Sequence, residues 1–140
     1  MPGITNLHKL LATLQPHLHS GEFVFVSINN QILIPIDEQI MHFKEEEGTT
    51  IICTRSYADR HQLTYTSVFG WITLNVLSSL DAVGLTASFS TALANCNISC
   101  NVVAGHFHDH IFVPIHDTQR AMNVLLSLSS TTLQDQTSQL

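Results

Sequence analysis

Apolar residues recur at Leu7, Leu10, Leu11 and Leu14, a helical spacing that predicts an N-terminal helix over Ile4–Leu14, ended by Pro16. Glu22–Ile28 is rich in Phe and Val and reads as a strand, closed by a turn at Asn29 and Asn30. Pro35 interrupts the apolar run Ile32–Ile34. Asp37 is a candidate cap for a short helix reaching Glu46, with Ile36, Ile40 and Phe43 on one side and Gly48 as its stop. Thr49–Thr54 reads as a further strand, followed by a polar helical segment near Tyr57–Gln62.

The second half is more regular. Phe69–Leu77 alternates, with Ile72, Leu74 and Val76 on one face and Trp71, Thr73 and Asn75 on the other. Ser78–Gly84 breaks that pattern. Leu85, Phe89, Ala92, Leu93 and Cys96 then form one face of an amphipathic helix ending near Asn97. Ile98, Cys100, Val102 and Ala104 alternate along a strand, and His110–Ile115 forms another after a turn or strand extension at Gly105–Asp109. Asp117 or Thr118 caps a last helix that points Ala121, Met122, Leu125 and Leu128 inward, and the Ser-, Thr- and Gln-rich tail from Ser129 is expected to fray.

The order β-α-β-β-α in the second half, with a weaker β-α-β-α before it, predicts an α+β fold of ferredoxin-like βαββαβ units in tandem. The expected division is an N-terminal helix and connection over 1–20, a first, degenerate unit over 21–65, a second unit over 66–128 and a tail over 129–140. Nothing strand-like follows Leu128, so the second unit lacks its closing strand. A bare sheet edge is costly, and Glu22–Ile28 is the expected filler, which would interlace the two units. Deleting residues 1–30 is then expected to unfold the second half.

Composition narrows the function. Of 140 residues only 11 % are charged, against about 25 % in an average domain, which points to an oligomer whose surface is partly covered by another subunit. A formal charge of −6 argues against a nucleic-acid partner. The nine histidines would make the charge positive if all were protonated, so it should swing sharply near pH ~6.5. Three cysteines, Cys53, Cys96 and Cys100, build no disulfide framework. Neither a secretory signal nor a membrane-spanning run is visible, and Asn97-Ile98-Ser99 is read as an idle glycosylation sequon; a reducing cytoplasmic setting is expected.

The stretches Ile72–Ala87 (ITLNVLSSLDAVGLTA), Ile98–Gly105 (ISCNVVAG) and His108–Pro114 (HDHIFVP) resemble tandem ACT-domain proteins, with Glu46–Ile52 (EEGTTII) fitting the first unit more loosely. Free-standing pairs of this type are similar to the paired ACT units of aspartokinases. The resemblance implies a non-catalytic, regulatory, amino-acid-binding pair, usually dimeric, with no cofactor. It places the ligand at the turn between the first strand and first helix of a unit, here Ser78, Ser79, Leu80, Asp81, Ala82, Val83 and Gly84. Physical chemistry supports that placement independently. A helix N-terminus offers unpaired N–H groups to a carboxylate, a glycine admits a close approach, and Asp81 suits an ammonium group. The bland reading of Ser78, Ser79 and Asp81 is helix capping. The first unit, with Pro35 and no glycine over Asn29–Asp37, departs from the pattern.

His106, His108 and His110 would share one face of a continuous strand, where three imidazoles can gather a metal ion. A turn at Gly105–Asp109 would scatter them, and that is the preferred reading; a metal-binding module on these three residues is the alternative function. Cys96 and Cys100 are expected in the core, and Glu45, Glu46 and Glu47 on a solvated helix end. Catalytic signatures such as a Gly-x-Ser-x-Gly elbow, a phosphate-binding loop or His-Glu-x-x-His are absent, which leaves a hydrolase built on a spatial His/Asp pair as a third reading.

Overall fold

A computed structural model of the chain describes residues 7–29, 31–76 and 83–138. The elements are α1 (Leu7–Ala12), β1 (Gln15–Leu18), β2 (Phe23–Ile28), a 3-10 turn (Ile36–Glu38), β3 (Met41–Lys44), β4 (Thr49–Thr54), α2 (Arg55–Arg60), β5 (Phe69–Asn75), α3 (Leu85–Asn95), β6 (Asn101–Ala104), β7 (Asp109–Pro114) and α4 (Thr118–Ser138). They form two compact units, one inserted in the other. The inner unit is Ser20–Gly70, and the outer unit joins Met1–His19 to Trp71–Leu140.

In the inner unit β3, β4 and β2 lie side by side, all antiparallel, and Phe23 of β2 also pairs with Phe69 at the start of β5. The order β3-β4-β2-β5 is that of a βαββαβ sheet whose first helix has shrunk to the turn Ile36–Glu38. The helix expected from Asp37 to Glu46 is therefore corrected. Asp37 lies in that turn, and Met41–Lys44 instead pairs with Thr49–Thr54 across a tight turn closed by Glu45 N–H donating to Gly48 O at 3.0 Å. Four residues with Met and Phe two apart carry too short an alternation to oppose the helical spacing of Ile36, Ile40 and Phe43; the neighbouring strand decides the outcome. Val24, Val26, Ile34, Ile51, Cys53, Tyr57 and Ala58 form the inner core, and the Thr54 hydroxyl caps α2 by accepting from Tyr57 N–H at 3.1 Å.

The outer unit carries the sheet β1-β5-β7-β6. Its βαββα run is β5-α3-β6-β7-α4, as the residue pattern predicts, and the fourth strand position is taken by β1, from the opposite end of the sequence. The interlacing is real, but its strand is not Glu22–Ile28. Gln15–Leu18 runs antiparallel to β5 with Gln15 opposite Asn75 and Leu18 opposite Ile72, while Glu22–Ile28 belongs to the inner sheet. Pro16, expected only to end a helix, sits within this outermost strand, where a missing N–H is tolerated. Leu10, Leu11 and Leu14 join Ile72, Leu74, Val76, Leu85, Phe89, Leu93, Ile98, Ile111, Val113, Ala121 and Leu125 in one core. α4 continues through Ser138, past the expected fraying point at Ser129. Once packing has fixed its first turns, each added residue gains a hydrogen bond at little further cost. None of the helices among the described residues is long and apolar enough to cross a membrane.

Candidate functional site

The resemblance directs attention to the passage from β5 into α3. Ser78, Ser79, Leu80, Asp81 and Ala82 lie outside the described residues; Val83 and Gly84 lie within them. β5 leads in through buried Val76, and Val83 is 85 % exposed. Gly84 is the residue preceding the first turn of α3, at φ 95° and ψ −13°. Its carbonyl accepts from Ser88 N–H at 2.9 Å, and it supplies no side-chain cap to the helix. A Cβ here would lie 3.2 Å from Leu7 Cδ2 of α1. Glycine is thus favoured by the left-handed backbone, whatever binds nearby. Gly84→Val should therefore lower stability by about 2–3 kcal/mol, read as a fall in the denaturant midpoint, instead of leaving the fold untouched. An unchanged midpoint would contradict this backbone assignment.

The three histidines of the alternative reading lie along a turn and the strand after it. Gly105 N–H donates to His108 O at 2.9 Å, closing a turn between Ala104 of β6 and Asp109 of β7. His106 lies edge-to-face on Phe107 with centroids 4.8 Å apart, His108 ends the turn, and His110 stands on β7. Among the described residues no set of three or more His, Cys, Asp or Glu is placed to hold a metal ion.

His110 belongs instead to a cluster that residue spacing did not reveal. Trp71 Nε1–H donates to His110 Nδ1 at 3.1 Å, and Thr73 Oγ1 lies 3.0 Å from the same nitrogen. His19, just beyond β1, stacks on Trp71 with centroids 3.6 Å apart and places Nε2 2.6 Å from Thr73 Oγ1. The signal that was available is the alternation of Trp71 and Thr73 away from Ile72 and Leu74. What was missing is β1, which brings His19 across 54 positions to Thr73.

A second feature lies in the inner unit, a surface cleft of about 590 Å³ lined by Gly21, Glu22, Thr54, Arg55, Ser56, Asp59 and Arg60. Pairing of β2 with β4 brings Glu22 to Arg55, where Nη1–H donates to the carboxylate at 2.8 Å. Arg55 Nε–H donates to Tyr65 Oη at 3.1 Å, and Tyr65 O–H donates to Asp59 at 2.6 Å. The Glu22 carboxylate and the Tyr65 hydroxyl hold the Arg55 guanidinium firmly charged. Two of its five N–H donors are engaged by Glu22 and Tyr65, which fixes the guanidinium at the rim of the cleft.

The Cys53 and Cys100 thiols are poor nucleophiles. Burial and the nearby Glu38 push Cys53 up, and burial pushes Cys100 up to about 11. Cys96 is exposed, which corrects its expected place in the core; the helix ends at Asn95 and Cys96 turns outward, its carbonyl accepting from Arg120 at 2.5 Å.

Two ACT-domain family profiles match in tandem, over residues 2–70 and 66–127, and the chain belongs to the ACT-domain family as a tandem pair. It is similar to a Vibrio cholerae protein of unknown function, described as a possible transport protein, with 39 % identity over 88 % of this chain and 95 % of that one and a TM-score of 0.78. An Agrobacterium tumefaciens protein is 16 % identical over 83 % of this chain and 89 % of its own, with a TM-score of 0.66. The ligand-free regulatory subunit of aspartate kinase from Thermus thermophilus shares the fold at 7 % identity, covering 81 % of this chain and 95 % of that one with a TM-score of 0.55. None of the curated proteins matches the sequence. The ACT pair supports a regulatory module that takes a small ligand.

Proposed function

We propose that this chain is a non-catalytic regulatory module that binds an amino acid at the passage from β5 into α3 and works as a homodimer in the cytoplasm. The observation that carries this reading is the tandem family match, joined to a complete βαββαβ strand order in each unit. α3 begins without a side-chain cap and without an acidic residue in its first turn, a setting that suits a carboxylate. In this reading the ligand's carboxylate takes the first-turn N–H groups and Asp81 takes its ammonium group. The dimer reading draws on the sparse surface charge and on the outermost strands β3 and β6, where Phe43 and Val102 are exposed. The three cysteines are free, which suits a reducing compartment.

A thermal-shift screen of the common amino acids tests the ligand. At a hundredfold excess over Kd the cognate one should stabilise the chain by about 2.7 kcal/mol, a rise of several degrees in Tm. Asp81→Asn should weaken that ligand about tenfold in calorimetry, the loss of one charge-assisted contact worth about 1.4 kcal/mol. Stabilisation by no amino acid would refute the ligand class, and undiminished affinity in Asp81→Asn would refute the site. Sedimentation should show two copies per particle, and a monomer at micromolar concentration would refute the assembly.

A further inference from the structure

The face of the outer sheet turned away from its core carries two imidazoles, a buried hydroxyl and an indole within hydrogen-bond reach of one another. Thr73, only 6 % exposed, stands between His19 Nε2 at 2.6 Å and His110 Nδ1 at 3.0 Å. Trp71 Nε1–H points at the same His110 nitrogen from 3.1 Å. An indole nitrogen is a donor and never an acceptor. His110 Nδ1 must therefore be unprotonated, its ring neutral, and its proton on Nε2. That edge of the ring lies against Gly105, where a Cβ would come within 3.2 Å of Nε2.

A proton added to His110 has one place to go, Nδ1, and there it meets the Trp71 N–H head-on. The nearest acceptor for the new N–H is Thr73 Oγ1. Once that oxygen accepts, its own hydrogen turns to His19 Nε2, which must then be the unprotonated nitrogen of its ring. The same side chains thus support two hydrogen-bond arrangements that differ by one added proton, by the direction of the Thr73 hydroxyl and by the tautomer of His19. His19 donates from Nε2 to Thr73 in the first and, with its proton exchanged through solvent to Nδ1, accepts at Nε2 in the second. We propose that the outer unit contains a proton switch formed by His19, Thr73 and His110, in which protonation of His110 reverses the Thr73 hydrogen bonds and removes the acceptor of the Trp71 indole N–H. The chain would then sense protons in addition to any ligand, and the switch does not depend on where that ligand sits.

The groups facing the switch set its direction. His17 of β1 lies edge-on to His19 at 4.7 Å, and His108 and Asp109 flank His110 from the turn and β7. Burial foremost, and then the neighbouring His17 and His110, lower the affinity of His19 for a proton. Burial and His108 do the same at His110, with Asp109 partly opposing them. Asp109 is itself a weaker acid than usual because it is buried. Both imidazoles therefore charge more readily in the unfolded chain. Their contribution to stability is full above pH ~6.5 and declines as the pH falls toward their lower folded values.

Trp71 is the sole tryptophan of the sequence, so its emission reports the switch directly. In the full chain, titrated between about pH 8 and pH 5, emission should change in one step with a midpoint below ~6.5, since an imidazolium next to an indole quenches it. Far-UV dichroism should stay constant through that step. Because His19 stacks on Trp71 and also titrates, His19→Gln is compared with the double variant His19→Gln/His110→Asn. The step should persist in the first and vanish in the second, where Asn keeps an acceptor for the indole but cannot titrate; His106→Asn, altering the turn's tip, should leave the midpoint in place. On the unmodified protein, long-range proton–nitrogen spectra at about pH 8 should show His110 as the neutral Nε2–H tautomer. Emission that is flat with pH, a step that is lost in His19→Gln alone or survives in His19→Gln/His110→Asn, a step that coincides with loss of dichroism, or an Nδ1–H tautomer would each overturn the proposal.

Discussion

Removing residues 1–19 should unfold the outer unit, although the cut spares every residue of the second matched ACT profile, 66–127. The deletion takes away β1, the antiparallel partner of β5 from Gln15↔Asn75 to Leu18↔Ile72, and leaves β5 with an open edge. It also strips Leu10, Leu11 and Leu14 from the core, each 7 % exposed or less. At about 2 kcal/mol per buried leucine side chain, the three together approach the whole stability of a typical domain, roughly 5–15 kcal/mol. Trp71 emission should take on its solvent-exposed form, and the outer unit should lose cooperative unfolding in denaturant. A truncated chain that keeps native emission and a sharp transition would show that β1 is dispensable, and would contradict the interlaced architecture.

Phe89→Ala should be the most damaging single change in α3. Phe89 is fully buried, within a cluster that includes Ile72, Leu74, Leu85 and Leu93. Truncation of a buried phenylalanine costs roughly 3–5 kcal/mol, from lost transfer free energy and the cavity left behind. The neighbouring exposed position Thr86 offers the contrast, since its change to Ala should stay within about 0.5 kcal/mol. Urea titrations of the two variants test the difference. Equal midpoints would mean that α3 is not packed on the sheet through this face. If the proposed ligand rests at the start of α3, Phe89→Ala should also weaken its binding, because the helix that presents the N–H groups would be loosened.

Several elements were legible because their information is local. Leu85, Phe89 and Leu93 repeat at helical spacing, and all three are buried. The alternation of Ile72, Leu74 and Val76 against Trp71, Thr73 and Asn75 set both the strand and its core face. The resemblance rested on the same stretch, and the family match bears it out. Elements that depend on a distant partner were misread. Gln15–Leu18 contains a proline and a histidine in four residues and has no alternation of its own; only hydrogen bonds to β5 make it a strand. Met41–Lys44 followed a helical-looking series and became a strand because Thr49–Thr54 lay within reach of a short turn. The second profile ends before α4 does and contains no closing strand, so a division by consecutive residues cannot coincide with units in which the first nineteen residues complete the last seventy.

The amino-acid sequence alone determined the alternation of β5, the apolar stripe of α3 and the glycine that opens it, since side-chain periodicity and backbone preference act over a few residues. Tertiary structure decided which strand closes the outer sheet, because sheet hydrogen bonds join backbone groups of any sequence separation and carry little imprint in the strand that supplies them. It also placed Leu7 beside Gly84, and it assembled Trp71 and Thr73 of β5, His110 of β7 and His19, just beyond β1. Each of those histidines is unremarkable in its own segment. Their chemistry arises from desolvation and from who donates to whom, and both are properties of packed neighbours, not of spacing.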